Sequence, residues 1–183
     1  FSNPGTSELH FVSALDREPR MRGVLGLFEG VVTGAADGYA RIAGKPACTL
    51  LHLGPGLGNG IANLHNARRA RVPLVNIVGD HAVAHRGLDA PLEADIETLA
   101  RPVSGWVRVS ASARDLARDG AAAVAAALTP PHRVATLIVP ANATWEDASG
   151  PAEPQPVPRF APPDAGAVAE AAAALRSGAP TAL

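Results

Sequence analysis

Sulfur, aromatic rings and charge are all scarce in this sequence. Its 183 residues include one cysteine, Cys48, and one methionine, Met21. A single thiol excludes an internal disulfide framework and a cysteine-rich zinc site. Aromatic residues make up 4% of the chain and charged residues 18%, below the usual quarter. Lys+Arg number 16 against 17 Asp+Glu, a formal charge of −1. That balance gives no electrostatic reason to expect nucleic acid or an anionic membrane surface as partner. No run of eighteen apolar residues occurs, so no helix is expected to span a bilayer. What the chain does have is aliphatic: 47% of it is hydrophobic, much of that alanine. Such a composition can bury a core and excludes wholesale disorder. The length allows one full domain and part of another. The chain starts at Phe1 without a methionine and stops at Ala179–Leu183, where an apolar strand could begin, so a piece of a longer protein is expected.

Short apolar runs alternate with helical stretches. Cys48–Leu53, Leu74–Val78, Trp106–Val109 and Val134–Val139 read as strands, three of them near-continuously apolar. Helical patterns cover Leu25–Arg41, 58–70, Glu93–Ala100 and a segment reaching Leu128 that Ser112 could cap. Near-continuous apolar strands separated by helices predict an α/β domain, a doubly wound and mainly parallel sheet with helices on both faces. Its ligand is expected at the carboxyl ends of the strands. From Pro140 to Pro163, seven of 24 residues are proline and no apolar period survives. The expected organisation is one domain over 1–145, a linker over 146–163 and the start of a second domain over 164–183, whose helix Asp164 would cap.

Four segments could carry chemistry. In Leu25–Arg41, Gly30, Gly34 and Gly38 recur at i, i+4, i+8 of a helical pattern. Each interior glycine costs about 1 kcal/mol against alanine, which close approach of another backbone would explain. Glu29 starts that helix beside Leu27, Phe28, Val31 and Val32. Apolar neighbours would desolvate its carboxyl and raise its pKa; an ordinary acidic first turn is the plainer alternative. His52-Leu53-Gly54-Pro55-Gly56-Leu57-Gly58-Asn59-Gly60 reads as a glycine-rich turn between strand and helix, able to bring amides to an anion or a flat ring. It is no dinucleotide fingerprint, because Asn59 stands where a third glycine would be needed. His52 lies at a strand's carboxyl end, and is either a site residue or a histidine satisfied within the fold. His81 and His85 share the spacing of metal ligands on a helix, but Gly79 and Gly87 argue against a helix there. Arg68, Arg69 and Arg71 suit a solvated helix end more than a phosphate site.

Four stretches occur in order: Asn3-Pro4-Gly5-Thr6-Ser7-Glu8-Leu9; Phe28-Glu29-Gly30 running to Ala35-Ala36-Asp37-Gly38-Tyr39-Ala40-Arg41; Gly54-Pro55-Gly56-Leu57-Gly58-Asn59; and Val72-Pro73-Leu74-Val75-Asn76-Ile77-Val78-Gly79-Asp80. Together they resemble the amino-terminal pyrimidine-binding domain of thiamine-diphosphate-dependent enzymes, in the acetolactate synthase and benzoylformate decarboxylase group. The resemblance implies thiamine diphosphate as cofactor, with Glu29 hydrogen-bonded to N1′ of its aminopyrimidine. It further implies decarboxylation of a 2-oxo acid through the C2 ylide, the enamine then passing to a carbonyl acceptor or being protonated to release an aldehyde. Pro4, Gly5, Thr6 and Asn59 would lie beside the cofactor. His52 would match the decarboxylase branch's active-site histidine, a proton donor or acceptor near neutral pH.

The same resemblance puts the glycine stripe at a subunit interface of a homodimer or homotetramer. It assigns Mg²⁺ and the diphosphate to a separate carboxyl-terminal domain, of whose Gly-Asp-Gly motif Gly79-Asp80-His81 is only a partial match. This chain by itself is thus expected to bind cofactor weakly and to be inactive. A cytoplasmic location is expected, and flavin binding is left open. Two readings from other classes remain: a non-catalytic nucleotide or flavin module built on Gly54–Gly60, and a purely structural domain.

Overall fold

The structure, a computed structural model, describes residues 1–180. Five strands, β1 (Ser2–Asn3), β2 (Ala47–Leu51), β3 (Leu74–Asp80), β4 (Trp106–Val109) and β5 (Val134–Pro140), form one sheet in the order β1-β2-β3-β5-β4. Every pairing is parallel. Strands β3 and β5 are buried along their whole length. This is the environment that a mostly aliphatic run calls for, since alternate side chains must enter a core on each face.

The helices supply those two cores. α2 (Glu29–Ala43), α3 (Leu53–Arg69) and α4 (Ile96–Ala100) bury Val32, Ala36, Leu57, Leu64 and Ile96 against Leu51, Leu74, Val78, Val134 and Ile138 on one face. α1 (Leu9–Leu15) and α5 (Ala113–Leu128) cover Leu50, Val75, Ile77 and Leu137 on the other. Strands β1 to β3 step one way across the sheet, whereas β4 to β5 steps back. A right-handed crossover therefore carries α5 to the opposite face from α2 and α3. The doubly wound parallel sheet expected from the sequence is the observed one. α6 (Ala165–Arg176) follows residues 147–164, which have no regular structure, and Asp164 caps it by accepting from Ala167 N–H at 2.8 Å.

Several boundaries differ from the sequence reading, each for a physical reason. The glycine-rich segment Gly54–Gly60 is helix, not turn: α3 winds from Leu53. Pro55 falls in its first turn, where no N–H is required. The missing side chains let α3 lie close to its neighbours, for a Cβ on Gly60 would meet Thr33 Cγ2 at 2.9 Å and one on Gly54 would collide with Ala94. β2 accordingly ends at Leu51. α2 begins at Glu29, four residues later than the helical pattern. α4 begins at Ile96, because Glu93 instead accepts from the amides of Gly87 and Ala90. Ser112 stands at the N-cap of α5, but its hydroxyl donates to Asp115 at 2.7 Å and caps no amide. β1 and α1 were not anticipated; two residues of strand leave no periodicity to read. The strand start expected at Ala179–Leu183 falls largely on residues outside those described.

Candidate active site

The carboxyl ends of β1 and β2 and the amino end of α2 meet at one edge of the sheet. α2 runs antiparallel to the strands, so its first residue, Glu29, lies at that edge. The carboxyl is buried, with Glu29 9% exposed, and Asn59 of α3 donates to its Oε2 at 3.0 Å. Oε1 has no protein hydrogen-bond partner among the described residues. It faces Gly56, where a Cβ would lie 3.5 Å away. The two helices are clasped around this point: Thr33 Oγ1 reaches the carbonyls of Glu29 at 2.9 Å and Gly60 at 3.1 Å, and Asn63 donates to Gly30 O at 2.7 Å.

The apolar collar expected around Glu29 does not close within this chain. Val32 is buried in the core, but Leu27 is 89% exposed, and Phe28 and Val31 are exposed as well. Nor does the glycine stripe share one cause. Gly34 gives way to Asn63, and the Phe28 ring lies on Gly30, whereas none of the described residues stands near Gly38.

His52 occupies the corner between β2 and α3, and its side chain is 22% exposed. The next residue, Leu53, has a left-handed backbone with φ of 52°. A branched residue there costs about 1–3 kcal/mol, a strain found chiefly where a site over-determines it. Complete burial of the Leu53 side chain holds it in place. His52 Nδ1 lies 2.8 Å from Oε2 of Glu8, which also accepts from Gly5 N–H at 2.7 Å. The imidazole lies so flat on Gly5 that a Cβ there would overlap it. Gly56 links the two halves of the site, since its Cβ would stand 3.5 Å from both Glu29 Oε1 and His52 Cβ.

The structure thus brings Glu29, Asn59, His52 and Gly5 together, with Pro4 and Thr6 next to Gly5 in the chain. Thr6 opens the exposed end of a 3-10 turn over Thr6–Glu8, and its hydroxyl makes no hydrogen bond among the described residues. The His81–His85 segment is used otherwise. Asp80 accepts from His81 N–H and pairs with Arg86 at 2.5 Å, while His81 Nε2 donates to Pro91 O. No group of three metal-ligating side chains occurs among the described residues. Arg68 and Arg69 end α3. Glu8 is the residue the sequence reading passed over. An acid in the motif Asn3-Pro4-Gly5-Thr6-Ser7-Glu8 gave the only hint, and its burial depends on a strand more than seventy residues away. Two cavities lie elsewhere: a cleft of about 680 Å³ behind β1 and β2, lined by Phe1, Phe11, Met21, Tyr39 and Cys48, and one of about 150 Å³ around Asp80, Arg86 and Asp95.

A family profile described as the thiamine pyrophosphate enzyme, N-terminal TPP binding domain, matches residues 1–99. The chain belongs to this family. The matched span of this TPP-binding domain includes all the site residues above. A Mycobacterium tuberculosis protein provisionally named an acetolactate synthase large subunit is 61% identical over 181 residues, covering 98% of this chain and 34% of the relative. A benzoylformate decarboxylase from Pseudomonas aeruginosa is 37% identical over 141 residues, 76% of this chain and 26% of its own length. Among solved structures, a thiamine diphosphate-dependent 4-hydroxybenzoylformate decarboxylase from Rhodococcus jostii RHA1 superposes with a TM-score of 0.86 at 30% identity, over 97% of this chain and 34% of the other. The chain spans about a third or less of each relative's length. No helix among the described residues is long and apolar enough to cross a membrane.

Proposed function

We propose that this domain is the pyrimidine-side half of the active site of a thiamine-diphosphate-dependent 2-oxo acid carboligase or decarboxylase, acetolactate synthase-like in its chemistry. The observation that carries the reading is a buried carboxyl with one oxygen tied down and the other free. Asn59 occupies Glu29 Oε2, and Gly56 leaves room beside Oε1. That arrangement fits a flat heterocycle with a basic ring nitrogen, which could share one proton with Oε1. Glu29 would hold and return that proton, and Pro4, Gly5 and Thr6 would line the same edge. Thiamine diphosphate, when bound, supplies the carbon nucleophile and the electron sink for the charge left by departing CO₂. Mg²⁺ and the diphosphate are assigned to a separate carboxyl-terminal domain.

Exposed Leu27, Phe28 and Val31 beside a buried acid support a second copy of the chain closing over this face, hence a homodimer or a homotetramer. Such closure would complete the collar and dry the site. The division into a domain over 1–145, a linker over 146–163 and the start of another domain, together with a cytoplasmic location, belongs to the same proposal. A benzoylformate decarboxylase-like reaction that releases an aldehyde is the second reading. It is favoured by His52, whose Nε2 has no protein partner among the described residues and could carry a proton to or from substrate. The nucleotide-module reading loses its phosphate turn, because Gly54–Gly60 is helix.

The deciding substitution is Glu29→Gln in the complete protein. Loss of a general acid–base group should lower kcat about 10²–10⁴-fold. Turnover near the wild-type rate refutes the role. Titration calorimetry should show uptake of thiamine diphosphate with Mg²⁺ and none of NAD; the reverse preference would favour the binding-module reading.

A further inference from the structure

Glu8 is the most deeply buried acid among the described residues, at 2% exposure, and nothing above gives it work to do. Burying a carboxyl is unfavourable unless donors reach it. Two do, and both reach the same oxygen: Gly5 N–H at 2.7 Å and His52 Nδ1 at 2.8 Å converge on Oε2, while Oε1 is buried with no partner. Two backbone positions are kept clear for this pair. A Cβ on Gly79, in the middle strand β3, would overlap the Glu8 carboxyl, and a Cβ on Gly5 would overlap the imidazole. With Glu8 as the carboxylate, which only accepts, the hydrogen of that contact resides on Nδ1. The neutral ring then carries its lone pair on Nε2, the nitrogen with no protein partner.

We infer that Glu8 is a positioning residue for His52: it fixes the imidazole's orientation and its Nδ1–H tautomer, so that Nε2 is the nitrogen presented to substrate. A plainer role exists, since Glu8 also closes the Thr6–Glu8 turn through its own N–H to Gly5 O and through Gly5 N–H to Oε2. Turn closure alone, however, requires neither the imidazole contact nor a glycine in β3. The kinetic part of the inference rests on the function proposed above; the tautomer does not.

The test uses the complete protein with ¹⁵N-labelled histidine, the His52 signals being assigned by their loss in His52→Gln. Spectra are followed upward in pH until the ring is neutral. Wild type should show Nδ1–H, and Glu8→Gln should keep it, because the amide carbonyl still accepts. Glu8→Leu should shift the ring towards the Nε2–H form and lower kcat about 100-fold at nearly constant KM, whereas Glu8→Gln should stay within about tenfold. A wild-type ring in the Nε2–H form overturns the inference, whether or not Glu8→Leu folds. So does a Glu8→Leu protein that keeps Nδ1–H. If the tautomer responds as stated while Glu29→Gln leaves turnover intact, Glu8 still positions His52 and only the thiamine reading fails.

Discussion

Gly56→Ala should separate stability from cofactor binding. Gly56 lies inside α3, its N–H bonded to His52 O at 2.9 Å. An added Cβ would stand 3.5 Å from Leu51 C, His52 Cβ and Glu29 Oε1, which is ordinary van der Waals contact, so no neighbour has to move. Replacing an interior helical glycine by alanine then gains up to about 1 kcal/mol. For a domain of this size that raises Tm by roughly 2–4 °C. The methyl nevertheless sits against the one oxygen of Glu29 left free for a partner. Forfeiting a hydrogen bond to a charged group costs about 1.5–3 kcal/mol, a roughly tenfold to hundredfold weaker Kd. Thermal melting of the chain and calorimetry of the complete protein with thiamine diphosphate and Mg²⁺ measure the two effects. Unchanged affinity would refute the assignment of Oε1 as the cofactor contact, and a fall in Tm would refute the packing argument.

Two further outcomes follow from a half-buried thiol and a buried polar ladder. Burial pushes the Cys48 thiol up to about 11, so thiolate forms only as pH climbs towards that value. Iodoacetamide at pH 8 should label it roughly 200-fold more slowly than a free thiol; equal rates in folded and urea-unfolded chain would contradict this. Across the sheet, Thr49 donates to Asn76 at 2.7 Å, Asn76 donates to Thr136 at 3.0 Å, and Ser104 and Thr136 share a hydrogen bond of 2.7 Å. Asn76→Leu strands the Thr49 hydroxyl and should cost about 1–3 kcal/mol. Adding Thr49→Val should recover part of that, so strictly additive losses in urea titrations would show that the ladder is uncoupled.

Near-continuous apolar runs, each broken by a single polar residue (Thr49, Asn76, Thr136), were enough to locate β2, β3 and β5 and to call for helices on both faces, since a doubly covered parallel strand is what such a run suits. Glu29 and Asn59, which the structure joins by a hydrogen bond, could be singled out beforehand because both sit within motifs. The start of α3 could not, because local glycine content favours a turn, whereas the helix is selected by how closely Thr33 and Ala94 approach. Glu8 was equally hidden. Its role depends on Gly79 of β3 and His52 after β2, side chains distant in sequence that only the sheet register brings together. Composition and periodicity record what each residue tolerates locally and so determined the layers. Which polar atoms stay free at the strand ends is a matter of long-range contact, and the tertiary structure alone decided it.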